Sequence, residues 1–233
     1  MEKSQGLSIV LPVYNEEKNI KPVIEDILSN IKKFTSDYEI IVVDDGSKDK
    51  TLNILYSLKE RNKEIKIITH KENRGYGAAL TEGIKHANKE FILLMDADGQ
   101  FRINSLCAFW DKRHSYDFIL GYRKERRDNI YRKIMGRIGN YIADLLLKKN
   151  IKDINCGFKL FKAKILKRLN LESRGGIISF EILYKLFKIN TFSFLQIPVE
   201  HYERKFGNPG GGKIKVIIKI ILEFTKLILK DPL

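Results

Sequence analysis

Two aspartates that follow an apolar segment are the residues best suited to chemistry. Asp96 and Asp98 come directly after Phe91–Leu94, whose uninterrupted apolar character predicts a buried strand. Because they are two positions apart on an extended backbone, their carboxylates point the same way and repel each other unless a cation lies between them. Oxygen ligands suit Mg²⁺ or Mn²⁺. The pair therefore predicts a divalent metal site, with an ordinary Asp-Gly turn as the alternative.

The elements that must position this pair alternate along the first hundred residues. Strands are predicted over 7–11, 38–43, 65–69 and 91–95, and helices over 16–33, 50–62 and 75–88. Such alternation predicts an α/β fold, with a mainly parallel sheet and helices on both faces. Ligands bind such sheets at the carboxyl ends of the strands. Four polar clusters fall there, and we expect them to form one site: 14–16, 44–47, 74–77 and 96–98.

The charge is unevenly distributed along the 233 residues. Residues 1–100 hold 15 Lys and Arg against 17 Asp and Glu, whereas residues 101–233 hold 28 against 12. A basic surface favours a phosphate-bearing partner, which means nucleic acid, anionic lipid or a phosphorylated substrate. Two cysteines, with no signal peptide ahead of the first strand, predict a reducing, cytoplasmic setting. In this half we predict strands over 118–121 and 192–198, a basic amphipathic helix within 122–149 and a helix over 178–188.

The last segment, residues 214–230, has one charged stripe and broad apolar faces. The stripe follows helical spacing and consists of Lys215, Lys219, Glu223, Lys226 and Lys230. A helix of this length spans about 25 Å, which is short of the roughly 30 Å hydrocarbon core of a membrane. We therefore predict a membrane-associating amphipathic helix over 213–233, following a domain of residues 1–212. A helix docked on the protein's own core, or a dimer interface, is the alternative.

Seven motifs, in matching order, make the chain resemble the family 2 glycosyltransferases with the GT-A fold. Within that family it is similar to dolichyl- and polyprenyl-phosphate mannose and glucose synthases. The motifs occupy residues 10–16, 42–47, 73–79, 95–100, 121–123, 156–161 and 200–204. The resemblance implies an inverting transfer of a hexose from GDP-mannose or UDP-glucose to a polyprenyl phosphate. Unlike many bacterial relatives, the chain shows no transmembrane hairpin after the matched region, so we expect a peripheral enzyme at the cytoplasmic face of the membrane. We expect it to be held there by its basic helix and its C-terminal helix or by a membrane-anchored partner, with a homo-oligomer as a further alternative.

The resemblance also implies roles for particular residues. The residues that it places at the donor nucleotide are Pro12, Tyr14, Glu16, Asp44, Asp45, Gly75 and Asp96. The residues that it places on a Mg²⁺ or Mn²⁺ at the donor diphosphate are Asp96, Asp98 and Gln100. The arginines that it places on the phosphates of donor and acceptor are Arg123, Arg132 and Arg204. Glu181 stands where the relatives carry an acidic residue, which implies that it contacts the sugar or orders the site, with a solvent-exposed or capping glutamate on a helix as the alternative.

The chemistry of the acceptor decides whether a general base is required. A polyprenyl phosphate has a second pKa of about 6 and is already ionised as a nucleophile. A saccharide or lipid hydroxyl, the main alternative acceptor, needs a carboxylate base, for which Asp153 and Glu181 are the candidates. The loop at 208–212 departs from the pattern of the family, and Lys213 is a candidate to replace its acceptor contacts.

Two other readings of the sequence have less support. A basic nucleic-acid-binding module would explain the charge of the second half, but the chain has no recognised nucleic-acid motif, and we expect no nucleic-acid partner. The segment Gly75–Gly77 lacks the third glycine of a dinucleotide-binding fingerprint.

Overall fold

The computed structural model describes residues 6–125, 140, 144–189, 191–207, 222–225 and 229–230. Arg132, Lys213 and the 208–212 loop lie outside the described residues, as do most of the predicted basic helix and most of the predicted C-terminal helix. The described residues 222–225 and 229–230 are helical. No helix among the residues that the structure describes is long and apolar enough to cross a membrane.

The described residues form one seven-stranded sheet. Its strands are β1 (Leu7–Val13), β2 (Tyr38–Asp44), β3 (Ile65–Thr69), β4 (Phe91–Met95), β5 (Phe118–Arg123), β6 (Phe158–Lys162) and β7 (Phe194–Val199). Their order is β3-β2-β1-β4-β6-β5-β7. Strands β1 to β4 are parallel to one another, β6 is antiparallel to both of its neighbours, and β7 is parallel to β5. The predicted α/β fold with a mainly parallel sheet is therefore confirmed.

Helices connect and cover the strands. The helices whose two ends lie among the described residues are α1 (Ile20–Asn30), α2 (Thr51–Arg61), α3 (Tyr76–His86), α4 (Leu106–Lys112), α5 (Ala163–Leu166) and α6 (Ile178–Ile189). The prediction of a helix over 16–33 was too long at its start. Residues 14–19, before the helix starts at Ile20, form bends and a turn. The Glu16 amide in this segment donates to Thr51 Oγ1 at 2.9 Å, which connects the segment to the start of α2. At its end, Ile31–Lys33 continues as a 3-10 turn.

The apolar side chains of the strands divide between two cores, one on each face of the sheet. Ile9 and Leu11 pack with α1 and α4 on one face, whereas Val10 packs with α3 and α6 on the other. Helix α3 lies so close to β1 that a Cβ placed on Gly83 would lie 2.4 Å from Val10 Cγ1. Burial on both faces explains why these strands are apolar throughout rather than alternating.

Candidate active site

Residues from all four predicted polar clusters, which follow β1, β2, β3 and β4, line one cleft of about 300 Å³. Its lining residues are Pro12, Val13, Tyr14, Glu16, Asp45, Asn73, Tyr76, Ala79, Asp96, Ala97, Asp98 and Arg204. The cleft opens because β1 pairs with β4 only as far as Val10, while its pairing with β2 continues to Val13. Pro12 lies in this last part of β1, so its missing N–H breaks no ladder to β4. The prediction that β1 ends before Pro12 was therefore wrong.

The two aspartates of the sequence motif lie together in this cleft. Burial of the Asp98 carboxylate and the like charge of Asp96 raise the pKa of Asp98 from 3.8 to about 6. Asp98 Oδ1 accepts the Gln100 amide at 3.1 Å, and Asp96 Oδ1 accepts the Tyr76 hydroxyl at 2.7 Å. A cation bound between these two carboxylates would reduce the electrostatic repulsion between them.

This donor set fits Mg²⁺ or Mn²⁺. Magnesium is commonly held by one or two carboxylates and completes its octahedral shell with waters and substrate phosphates. Across the described part of the chain, no group of three or more His, Cys, Asp or Glu residues could hold a metal by itself. A cation at Asp96 and Asp98 would complete its shell with waters or with substrate oxygens. Gln100 does not line the cleft, and its Nε2 donates to the Tyr202 carbonyl at 3.2 Å, so its role as a ligand stays a prediction.

Arg204 brings a positive charge into the cleft from the segment after β7. One guanidinium nitrogen pairs with Glu16, another lies 3.3 Å from Asp98 Oδ2, and its Nε donates to the Phe206 carbonyl at 2.8 Å. Glu16 is fixed from its other side by Asn19, whose Nδ2 donates to Glu16 Oε2 at 2.6 Å. Arg204 thus lies between two carboxylates at the edge of the predicted donor site, where a planar guanidinium is suited to bind phosphate.

Asp45 lines the cleft and is fixed by donors from the loop after β3. Asp45 Oδ1 lies 2.7 Å from His70 Nδ1 and accepts the Arg74 amide at 2.9 Å, while its Oδ2 accepts the Gly75 amide at 2.8 Å. His70 was not predicted, since no spacing in the sequence connects it with Asp45. The neighbouring Asp44 is buried, accepts the Ser47 amide at 3.3 Å and does not line the cleft.

The glycines of the segment after β3 are required by a close backbone contact. A Cβ on Gly75 would lie 2.3 Å from the Arg174 carbonyl oxygen, and one on Gly77 would lie 2.4 Å from the Ser173 carbonyl oxygen. The Arg174 carbonyl accepts the amides of Gly77 at 2.8 Å and Ala78 at 3.3 Å. The first turn of α3 is therefore covered by protein backbone. Gly75 contributes to the site through Asp45, and its direct contact with a nucleotide stays a prediction.

Arg123 lies outside the cleft lining and forms a buried ion pair. Its Nε and Nη2 donate to the two carboxylate oxygens of Asp153 at 2.6 and 2.8 Å, and the two side chains are 8% and 5% exposed. This bidentate geometry satisfies both charges inside the protein. Its predicted role at a phosphate is not tested by these contacts.

Glu181 is fully buried on α6, which excludes the solvent-exposed alternative. Its Oε1 accepts the Glu172 amide at 2.9 Å and its Oε2 accepts the Ser173 amide at 2.8 Å, while Lys185 Nζ lies 2.6 Å from Oε1. Glu181 does not line the cleft. Its contacts are those of a residue that orders a loop. The polar cleft residues to which the sequence analysis gave no individual role are Asn73 and Tyr76, although both belong to a motif that it identified.

Comparison with known proteins identifies relatives over most of the chain. The model of glycosyl transferase family 2 matches residues 8–169. Undecaprenyl-phosphate 4-deoxy-4-formamido-L-arabinose transferase from Photorhabdus laumondii is 31% identical over 220 residues, which are 93% of this chain and 66% of that protein. Dodecaprenyl-phosphate galacturonate synthase from Rhizobium johnstonii is 28% identical over 229 residues, 97% of this chain and 67% of that protein. The chain thus spans about two thirds of the length of these relatives.

Solved structures give the same fold at lower sequence identity. Glucosyl-3-phosphoglycerate synthase from Mycobacterium tuberculosis, in complex with Mn²⁺, UDP and phosphoglyceric acid, aligns with a TM-score of 0.73 and 16% identity over 97% of this chain and 78% of that one. The same enzyme with Mg²⁺ and UDP aligns with a TM-score of 0.71 and 14% identity over 96% of this chain and 79% of that one. At this identity the similarity concerns the fold.

Proposed function

Because this chain belongs to glycosyl transferase family 2, we propose that it transfers a sugar from a nucleotide sugar to the phosphate of a polyprenyl phosphate. The observation that carries the proposal is the cleft in which Asp96, Asp98 and Arg204 meet at the ends of the parallel strands. The names of the undecaprenyl- and dodecaprenyl-phosphate relatives support the same class of acceptor.

The donor would lie along the cleft from β1 to the two aspartates. Pro12, Tyr14 and Asp45 border the end proposed for the base and ribose, and the 42% exposed Tyr14 leaves a ring surface for the base. Asp96 and Asp98 would hold Mg²⁺ or Mn²⁺, and a cation there would neutralise the charge that develops on the leaving nucleoside diphosphate. Arg204 would bind a phosphate from the other side.

The contacts of the two candidate bases support a phosphate acceptor over a hydroxyl acceptor. Asp153 is occupied by the bidentate pair with Arg123, and Glu181 by two backbone amides and Lys185. A hydroxyl nucleophile needs a base within hydrogen-bond reach, and neither carboxylate lines the cleft. A phosphate oxygen is ionised near neutral pH and needs no base.

The reaction that follows is a single in-line displacement. An oxygen of the acceptor phosphate forms a bond to the anomeric carbon, while the bond from that carbon to the nucleoside diphosphate breaks and its electron pair leaves with the diphosphate. Inversion at the anomeric carbon results. The work of the protein is to position the two substrates and to balance charge in a partly buried cleft.

The proposal also names candidate sugars for the donor and places the reaction at the membrane surface. GDP-mannose and UDP-glucose are the donors implied by the resemblance, and the relatives add 4-deoxy-4-formamido-L-arabinose and galacturonate as sugars to test. A lipid-linked acceptor requires contact with the membrane surface, which we assign to the basic second half and the 213–233 segment, with the catalytic domain at the cytoplasmic face.

The test is transfer of label into organic solvent. The full chain is incubated with Mn²⁺ or Mg²⁺, a short polyprenyl phosphate and, in turn, a labelled nucleotide derivative of each of these four sugars. The matching polyprenol, which lacks the phosphate, serves as the acceptor control, and Asp98→Ala as the enzyme control. Transfer to the phosphate, lost in Asp98→Ala, supports the proposal and identifies the sugar. Equal transfer to the polyprenol would overturn the phosphate acceptor.

A further inference from the structure

The loop of residues 172–175, which precedes α6, contacts both the donor site and the C-terminal segment. We propose that this 172–175 loop is a positioning element for Asp96: Glu181 fixes the loop, the loop fixes the first turn of α3, and Tyr76 in that turn orients the Asp96 carboxylate. The inference rests on the proposed function only in assigning a metal to Asp96. None of the sequence motifs includes residues 172–175.

The Glu181 side chain fixes the 172–175 loop by binding the backbone amides of that loop. The two oxygens of this buried carboxylate accept the consecutive amides of Glu172 and Ser173, and Lys185, one helical turn along α6, balances its charge. Hydrogen bonds from backbone amides to an ionised acceptor are stronger than bonds between neutral groups. The path of the loop therefore depends on the charge of Glu181 and not only on its size.

The loop in turn fixes the start of α3. The Arg174 carbonyl accepts two amides of the first turn, those of Gly77 and Ala78, which an isolated helix would leave without partners. The contact is close because Gly75 and Gly77 have no side chains, and any Cβ there would overlap the carbonyls of residues 173–175. A shift of the loop must therefore move the first turn of α3 or break these bonds.

Tyr76 connects that turn with the carboxylate. Its hydroxyl donates to Asp96 Oδ1 at 2.7 Å. On the other side of the carboxylate, a Cβ on Gly157 would lie 1.9 Å from Asp96 Oδ2, and the Asp96 amide donates to the Gly157 carbonyl at 3.1 Å. The Asp96 carboxylate is thus held between the Tyr76 hydroxyl and the backbone at Gly157. Groups that orient a metal ligand in this way affect metal affinity without touching the metal.

The C-terminal segment contacts the same loop. Glu223 Oε2 accepts the Gly175 amide at 3.1 Å, and Lys230 Nζ lies 2.6 Å from the Glu172 carboxylate. These two residues of the predicted charged stripe face the domain, whereas Leu222 and Leu229 are 64% and 77% exposed. The loop is therefore a place where a change in the C-terminal segment would reach the donor site.

The test is a double-mutant cycle on metal binding, with the full chain titrated with Mn²⁺ alone and free Mn²⁺ followed by electron paramagnetic resonance. Tyr76→Phe removes only the hydroxyl, and we expect it to weaken Mn²⁺ binding about tenfold, the lower end of the range for groups that orient a ligand. Glu181→Gln should also weaken binding. Because Glu181 acts through Tyr76, it should add no further loss in the Tyr76→Phe background, whereas independent sites would multiply their effects.

The matched control is Asp117→Asn. Asp117 directly precedes β5, and its carboxylate also holds a loop amide and a lysine. It accepts the Ser193 amide at 3.0 Å and lies 3.1 Å from Lys162 Nζ. A general loss of stability would lower the melting temperature in both variants, whereas the proposal expects Mn²⁺ affinity to change only in Glu181→Gln. Glu223→Gln acts on the same loop from the C-terminal side and replaces Glu181→Gln if that variant does not fold.

Hydrogen exchange gives a readout that needs no metal. The amides of Gly77 and Ala78 should exchange faster in Glu181→Gln than in wild type and Asp117→Asn. Unchanged exchange and unchanged Mn²⁺ affinity in a folded Glu181→Gln variant would overturn the proposal. An equal loss of Mn²⁺ affinity from Glu181→Gln in the wild-type and Tyr76→Phe backgrounds would also overturn it. A wild-type chain that binds Mn²⁺ and shows this coupling, yet transfers no sugar, would refute the proposed function and leave the positioning role intact.

Discussion

Several charged residues of the donor side, from β1 to β4, and several of the side formed by β5 to β7 are arranged in different ways. On the donor side, Asp96, Asp98 and Glu16 line an open cleft. On the other side, Arg123 is paired with Asp153, Lys159 donates to the Cys156 carbonyl, and Glu181 holds a loop. Groups of the first kind can exchange their partners for a substrate. Groups of the second kind fix the backbone, so that a charged residue in a motif need not touch the substrate.

Burial disfavours the charged form of ionisable groups in both regions. In the cleft, Asp98 keeps a like charge beside it, and its pKa rises to about 6. Behind it, burial lowers the pKa of Lys159 and raises the pKa of the Cys156 thiol to about 12. Like charges held close together at a candidate site commonly reduce stability.

Substitution of Asp98 by Asn should have the largest effect on activity. Loss of one of the two proposed metal ligands removes several kcal/mol of charge stabilisation, which corresponds to a fall in transfer rate of about a thousandfold. The same change removes the repulsion with Asp96, so the metal-free variant should unfold at a higher temperature than wild type. Labelled transfer and a thermal melt in EDTA measure the two effects. A variant that is as active as wild type would contradict the assignment of Asp98.

Alanine substitutions of Arg123 and Arg204 should separate the two regions. Removal of one partner from a buried ion pair costs roughly 3–5 kcal/mol, and we expect Arg123→Ala to lower the free energy of unfolding by this order because Asp153 stays buried. Arg204→Ala should cost less stability and should weaken binding of the donor nucleotide. Urea unfolding and nucleotide titration provide the comparison. Equal losses of stability in the two variants would contradict the distinction.

The pH dependence of stability should carry the signature of Asp98. A carboxyl group whose pKa is raised in the folded protein favours folding when it is protonated, so its contribution declines as pH rises from about 4 to about 6. The expected difference between wild type and Asp98→Asn is roughly 2–3 kcal/mol across that window, from a shift between 3.8 and about 6. Denaturant unfolding of both metal-free proteins at each pH isolates this term, and parallel curves would refute it.

The smallest effect concerns the two thiols. Cys107 is exposed, whereas Cys156 is buried with its pKa raised to about 12. Since the thiolate is the reactive form, iodoacetamide at pH 8 should label Cys107 in the native protein and both cysteines in urea. Mass spectrometry of tryptic peptides counts the labels. Rapid native labelling of Cys156 would show that the region behind Asp96 opens more readily than its burial indicates.

The sequence by itself determined the first half of the fold and the place of the site. The apolar runs give β1 to β4 within two residues at each end, and polar residues at their carboxyl ends meet because parallel strands end at the same edge. Asp96 and Asp98 could be identified because strand and cluster are adjacent in the chain. These features depend on residues that are close together in the chain, so the spacing of apolar and polar residues is enough to predict them.

Only the tertiary structure decided how the charged residues pair with one another. Arg204 meets Glu16 across 188 positions, Arg123 meets Asp153 across 30, and the Arg174 carbonyl explains two glycines almost a hundred residues earlier. No local pattern encodes such pairs, since each depends on where β6 inserts between β4 and β5 and on how the loop before α6 returns to α3. The sequence therefore indicates the chemistry, whereas long-range packing determines which side chains are available for it.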